Sequence, residues 1–426
     1  MQYPTSAAVT NIDDLGPRIP IYTQAFAADP HGHYRQMRER YGSVVPVEIW
    51  PDIPATLVIG YHTARSILGD TAHFSSDPRR WQATLTEVQR HAPIMGMLEW
   101  RPNALFNDGM DHSRHRGAAN YALAGVDLEE VRQTVKVISN RLINQFIGRG
   151  RVDLLKEYAE PLAFEVLTSI VGCPAHLGER VAAASAILFE GVDPDTAQTV
   201  NQSFADTFTE LARLKSTQSA DDIASRLLQH PAELDDIEFV SHMLTFFSAG
   251  SEIPKNWIAN TLYLMMTDSR YLTTIDSPQL STLTALEETL HNEPPLANYC
   301  VVYPRGPQLI DFPKDGETTS VWLPANQPVI TSMAACTSSP EVNTGDFTEA
   351  RHNLAFGLGP HTCPEAAQRV ARYTAHEAID QLFDHIPDLS PDFPSGQMLW
   401  RPGPFHRALE GLPAKFSPTQ PVPYVG

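Results

Sequence analysis

The sequence predicts a mainly α protein with a minor β component, built as a single domain over residues 1–426. Three observations carry this. Residues 111–267 show a nearly continuous helical pattern, short strand-like pieces gather near the two ends, and no internal repeat or low-complexity tract divides the chain. Apolar residues make up 42% of the chain, enough for an extensive core. Proline is plentiful but scattered, so it marks turns and not one linker.

Residues 1–28 read as an N-terminal arm. DPHGHYRQMRERYG then predicts a helix, followed by the strand-like pieces VVPVEIW and TLVIG. VRQTVKVISNRLINQFIG is one of several long amphipathic helices in the middle of the chain. Residues 236–266 are apolar nearly all round their first half, which marks a helix buried on most sides. A helix of about residues 281–292 stops before Pro294 and Pro295, short β-like pieces follow, and a last long helix runs from about Cys363 to His385.

The net charge of −19 argues against nonspecific nucleic-acid binding and against attraction to an anionic membrane surface. The four cysteines, Cys173, Cys300, Cys336 and Cys363, form no C-x-x-C pair, which fits free thiols in a reducing compartment. The first residues lack the basic-then-apolar order of a signal peptide, and no apolar run approaches the roughly 20 residues of a membrane helix. These features predict a soluble cytoplasmic protein with no membrane or nucleic-acid partner.

FGLGPHTCPE, residues 356–365, is the most unusual stretch. Gly357 and Gly359 permit backbone angles that a β-carbon forbids, and Pro364 suits a first helical turn. Cys363 is thereby placed near a helix N-terminus, where the dipole favours a thiolate. His361 can donate to an anion beside it. Taken alone, these residues fit either a structural cysteine in a tight turn or a thiolate held against a planar cofactor.

With Phe356, Gly359, His361 and Cys363 in place, the segment resembles the haem-ligand signature of the cytochrome P-450 superfamily, phenylalanine-x-x-glycine-x-basic-x-cysteine-x-glycine. Glu365 stands where the last glycine is usual. The resemblance implies the cytochrome P-450 fold, a triangular helical prism with small β-sheets, with a haem core over about residues 105–372. It implies haem b (iron protoporphyrin IX) with Cys363 as the metal ligand, whose electron donation favours O–O cleavage. His361 then binds a propionate, Phe356 packs by the sulfur, and Gly357 lies against the cofactor. DHSRHRGAANYAL resembles the family's haem-contacting third helix, with His112 and Arg116 at i, i+4 facing a propionate. DLLKEYAEPLAFEVLTSIVGCP is similar to the next helical stretch and WRPGPFHRALEGLPAKF to the final β-hairpin. Arg305, in YPRGPQ, is a further propionate candidate, although Val302 stands nearer the usual place.

The chain departs from the family in two places. The central helix usually reads alanine-glycine-x-acid-threonine. Ala249, Gly250, Ser251 and Glu252 match, but Ile253 replaces the alcohol, so proton delivery must use Glu252, Ser251, ordered water or a substrate group. Pro254 removes a helix hydrogen bond to the carbonyl of Gly250 and predicts a kink. Burial of Glu252 in so apolar a helix predicts a raised pKa, as proton transfer requires. In LEETLHNEPP the usual glutamate-x-x-arginine is Glu288 with His291, leaving Arg351 to pair with Glu288.

The resemblance implies a haem-thiolate monooxygenase or oxidative-coupling enzyme of secondary metabolism, with electrons from a ferredoxin and ferredoxin reductase. Arg114, His115, Arg369 and Arg372 are expected to form a basic patch for that partner. Met95, Met97, Leu98, Trp100, Phe106, Phe246 and Phe247 suggest a bulky, partly aromatic small-molecule substrate, such as a tryptophan-containing cyclic dipeptide. Two other readings compete: a degenerate homologue acting as an auxiliary partner protein, and a peroxygenase. The peroxygenase is disfavoured because SAGSEIPKN carries Lys255 but no arginine.

Overall fold

The computed structural model describes residues 9–189, 194–271, 280–342, 353–394 and 397–421. The predicted helix after the arm is α1 (Pro30–Tyr41), capped by the Asp29 side chain on the Gly32 N–H. The two strand-like pieces form an antiparallel pair, β1 (Val44–Trp50) and β2 (Ile53–Val58), joined at Asp52. α2 (Tyr61–Gly69) follows. Later in the chain come β3 (Asn298–Pro304), β4 (Gln308–Lys314), β5 (Glu317–Leu323) and β6 (Val329–Ser332).

One sheet has six strands in the order Ile19–Pro20, β1, β2, β6, β3, Phe74–Ser75. Its β2–β6 pair is parallel and its β6–β3 pair antiparallel. The β4–β5 hairpin turns at Asp315 and Gly316, both with positive φ (52° and 81°), as a two-residue turn between right-twisted strands demands. A small sheet of Ser390–Pro391, Pro413–Lys415 and Arg151–Asp153 ties the end of the chain to its helical half.

That half consists of α3 (Gly109–Ala124), α4 (Leu128–Phe146), α5 (Glu160–Val171), α6 (Ala175–Phe189), α7 (Pro194–Thr217), α8 (Ile223–Gln229), α9 (Asp236–Thr267), α10 (Thr282–Asn292) and α11 (Glu365–His385). α9 is the organising element. It starts with a reciprocal capping box between Asp235 and Glu238 and packs on α5, α7, α10 and α11. It runs unbroken through Pro254. Trp257 is 1% exposed and its indole N–H donates to the Leu286 carbonyl at 3.1 Å, which joins α9 to α10 without an unsatisfied donor. Leu142, Leu162, Trp257 and Ile379 belong to one apolar cluster shared by α4, α5, α9 and α11.

The burial of α9 fails at one point. Ser248 and Ala249 are exposed in the middle of the helix, although Phe247 and Glu252 beside them are buried. An apolar helix exposes its middle only where it borders a cavity.

Candidate functional site

The cysteine loop closes on itself before α11 begins. The Cys363 N–H donates to the Phe356 carbonyl at 2.8 Å, the Gln368 amide donates to the Cys363 carbonyl at 2.8 Å, and Gly357 and Gly359 take φ of +73° and +76°. At Gly359 a β-carbon would lie 2.6 Å from the Leu68 carbonyl oxygen on α2. Phe356 stands edge-on to Trp257 at 6.1 Å, with the Arg372 guanidinium 5.2 Å from its ring centre. Burial pushes the Cys363 thiol up to about 11, against the pull of Arg116. Desolvation of the sulfur is the dominant cause, and α11 starts at Glu365, two residues beyond it. A thiolate here calls for a stronger positive charge, such as a metal ion.

His112 on α3 and His361 in the loop meet with ring centres 4.3 Å apart. One ring nitrogen of His112 faces the Pro360 carbonyl and one of His361 the Ala104 carbonyl. His112 Nε2 and His361 Nδ1 are buried without a hydrogen-bond partner among the described residues. Burial lowers both pKa values, that of His361 to about 4, so both rings are neutral at pH 7. Arg116, also half-buried, has no ion-pair partner among the described residues, and its charge acts on Cys363. An anion between these groups would raise both histidine pKa values and satisfy the bare nitrogens. The residues thus fit a planar metal cofactor that carries carboxylates on its edge.

Asp108, which sequence reasoning missed, organises the same corner. It accepts from Arg305 Nη2 at 2.7 Å and from the Ser76 N–H at 3.0 Å, also takes the Ser75 hydroxyl, and lies 3.9 Å from His361 Nε2. Its signal was its place just before α3, four residues ahead of His112. Arg305 is therefore at the site, but its guanidinium is engaged by Asp108. The adjoining cavity is lined by Leu105, Phe106, Asp108, Tyr299, Cys300 and His361. A bulge in β3, with Cys300 at φ 47°, turns that strand toward it.

On α9, Ser251 Oγ donates to the Phe247 carbonyl at 2.6 Å, and Gly250 lies under Leu167. The expectation for Glu252 is reversed. Burial pushes its pKa up, but Lys255, Arg401 and His406 pull it further down, to about 2. Lys255 Nζ lies 2.7 Å from Oε2, while Arg401 Nη2 donates to Oε1 at 2.5 Å. The cations come from the next turn of α9 and from the C-terminal segment, and only the first was visible in local sequence.

Three further expectations change. Glu288 is held by Arg270 Nη2 at 2.6 Å and by the Tyr271 hydroxyl at 2.5 Å, so residues just after α9 supply a cation and a hydroxyl to this carboxylate; Arg351 lies outside the described residues. The basic patch does not form as expected: Arg114 pairs with Glu238, Arg372 with Glu287, and His115 is buried against His242, which leaves Arg369 exposed. Phe247 packs in the core between Phe164 and Phe208, and Met95 belongs to the core beneath the sheet, whereas Met97, Leu98 and Phe106 do line the cavity. The loop bearing them is stapled to α9 by Asn103, whose amide donates to Ser241 Oγ at 3.0 Å and Thr245 Oγ1 at 2.9 Å.

A thiol loop under a long central helix, with paired imidazoles and an arginine at its edge, defines a haem-thiolate class of protein, and comparison with known proteins agrees. No family model matches the chain. It is 29% identical over 414 residues to the cytochrome P-450 monooxygenase PikC of Streptomyces venezuelae, covering 92% of each chain. It is 26% identical over 413 residues to cytochrome P-450 107B1 of Saccharopolyspora erythraea, covering 94% of this chain and 98% of that one. The polyketide biosynthesis cytochrome P-450 PksS of Bacillus subtilis is 23% identical over 325 residues, covering 74% and 77%. The solved structure of CYP154C4 from a Streptomyces species superposes with a TM-score of 0.80 over 94% of this chain and 98% of that one, at 24% identity, which speaks for the fold. The chain belongs to the cytochrome P-450 superfamily and is an oxidoreductase of that kind. Among the described residues no helix is long and apolar enough to cross a membrane.

Proposed function

We propose that this enzyme holds haem b through Cys363 and oxidises a bulky, partly aromatic small molecule of secondary metabolism, by hydroxylation or by oxidative coupling, with electrons from a ferredoxin. The observation that carries the reading is the convergence of Cys363 with His112, His361 and Arg116, whose bare nitrogens and unpaired guanidinium suit a carboxylate-bearing cofactor. A relative named for polyketide biosynthesis supports a role in secondary metabolism, and a tryptophan-containing cyclic dipeptide is one candidate substrate.

When bound, haem supplies the redox chemistry of dioxygen, and the chain supplies binding, orientation and electrostatics. Cys363, its backbone N–H held by the Phe356 carbonyl, would supply the thiolate that ligates the metal. His112, His361 and Arg116 would hold the carboxylates, with Arg305 fixed beside them through Asp108. Ala249, exposed in the middle of α9, adds little side-chain bulk there, while Gly250 lies under Leu167. Ser248, Ser251 and Glu252 are the polar groups that flank this stretch in sequence, and Ile253 donates nothing. A substrate hydroxyl or amide is therefore the natural source of the missing hydrogen bond. Met97, Leu98 and Phe106 offer it an apolar wall and exclude water. Arg369, exposed on α11, is the remaining cation on that helix's face for an acidic redox partner.

The test is the carbon monoxide difference spectrum of the dithionite-reduced protein, with and without Cys363→Ser. A strongly red-shifted Soret band that the substitution abolishes is expected. A colourless protein, or a band of neutral ligation, would overturn the reading in favour of an auxiliary partner protein.

A further inference from the structure

Four elements meet at Phe356. The cysteine loop supplies the residue itself, whose carbonyl takes the Cys363 N–H at 2.8 Å. α9 supplies Trp257, edge-on to the Phe356 ring at 6.1 Å. α11 supplies the Arg372 guanidinium, 5.2 Å from the centre of the Phe356 ring and 5.8 Å from that of Trp257. α10 supplies Glu287, which pairs with Arg372. Trp257 is fixed, because it is buried and its indole N–H donates to the Leu286 carbonyl, one residue before Glu287. The guanidinium is thus held by two aromatic rings and one carboxylate.

This is not how a cation is presented to a docking partner. The Arg372 side chain is 36% exposed and its pKa is lowered by burial. Nor is it a plain surface ion pair, which needs no aromatic partners and contributes little. A half-buried charge reaches further than an exposed one, because less solvent screens it. We propose that Arg372 is a positioning residue that sets the reduction potential of the metal site at Cys363, acting through Phe356. The inference rests on the haem-thiolate reading above. Uptake of one electron adds one negative charge to that site. A fixed cation on Phe356, the residue that holds the Cys363 N–H, favours the more negative state. Arg116 on α3 also acts on Cys363, but the cofactor carboxylates it is assigned to would neutralise it, whereas the Arg372 charge is opposed only by Glu287 among its ion-pair partners in the described residues. Glu287 cancels that charge in part: its side chain is 45% exposed, and it is the cation, not the carboxylate, that lies on the ring.

The test is a spectroelectrochemical titration of the haem-loaded full chain, with the carbon monoxide difference spectrum taken first on each variant. At a fixed potential near the midpoint, Arg372→Gln is expected to lower the ferrous-to-ferric ratio roughly three- to tenfold. Glu287→Gln, which leaves the guanidinium uncompensated, is expected to raise it roughly twofold or more. Arg372→Lys keeps the charge and is expected to stay within about twofold of the unsubstituted protein. A merely structural stack would lower thermal stability in both glutamine variants without shifts of opposite sign. Unchanged ratios, or shifts of one sign, in variants that keep the red-shifted band overturn the inference and leave the haem-thiolate reading intact. Absence of that band from the unsubstituted protein overturns both. If Arg372→Gln fails to retain haem, Glu287→Gln decides alone: a raised ratio supports the proposal, and an unchanged or lowered one refutes it.

Discussion

The cysteine loop makes a demand on its two glycines that can be measured by substituting each with alanine, beside a reference glycine in the β4–β5 turn. Gly316, Gly357 and Gly359 all sit at strongly positive φ, +81°, +73° and +76°. An L-residue there loses about 1–2 kcal/mol from backbone sterics alone, and each alanine lowers the unfolded chain's entropy equally, so that contribution cancels between them. What differs is the space each β-carbon meets. At Gly316, in the β4–β5 turn, nothing lies within 4 Å. At Gly357 it meets Cys300 Sγ at 3.2 Å, a side chain able to give slightly. At Gly359 it meets the Leu68 carbonyl oxygen at 2.6 Å, which is backbone at the end of α2 and yields only if the loop and helix separate. Overpacking of that kind adds about 1–3 kcal/mol. The expected losses are about 1–2 kcal/mol for Gly316→Ala, about 2 for Gly357→Ala and about 2–5 for Gly359→Ala. The assay is chemical denaturation followed by far-ultraviolet circular dichroism, with the ratio of Soret to protein absorbance read in parallel. Gly359→Ala should also lose haem, while Gly316→Ala keeps it. If Gly359→Ala proves no worse than Gly316→Ala, the close approach of the loop to α2 is not what the glycine serves.

Two other outcomes follow from the buried charges. Burial, reinforced by His115 and Arg114, lowers His242 to about 3 from an ordinary 6.5. The folded state thus resists protonation, and its contribution is whole above pH 6.5 and lost as pH falls toward 3, a sum of roughly 5 kcal/mol. His242→Gln, which keeps a partner for the His115 ring but does not titrate, should flatten urea stability between those pH values; an unchanged acid slope would exclude the pair as its source. Arg270→Ala leaves Glu288 with Tyr271 alone and should destabilise the chain by about 1–3 kcal/mol with earlier haem loss on heating. Unaltered haem retention would mean that Arg270 does not replace the arginine missing at His291.

Much of the fold was legible because it rests on local pattern. The apolar run of residues 236–266 became α9, ending within one residue of the expected bounds, since burial on most sides leaves a helix no polar face to hide. The strand pair β1–β2 and the helix after Cys363 were equally readable from β-branched content and from Pro364. Residue types at short spacing also carried much of the site: His112 and Arg116 one turn apart, and Cys363 two residues beyond His361. Tertiary structure alone decided which charges meet. Arg401 is 149 residues from Glu252, yet it joins Lys255 and His406 in turning an acid expected to have a raised pKa into one held near 2. Arg270 reaches Glu288 from the previous helix's end, and Asp108 captures Arg305 across 197 residues. The physical reason is the same in each case. Helix and strand formation answer to side-chain periodicity within a few turns, whereas the ionisation of a buried group answers to whatever charge lies within a few ångströms, whichever part of the chain supplies it.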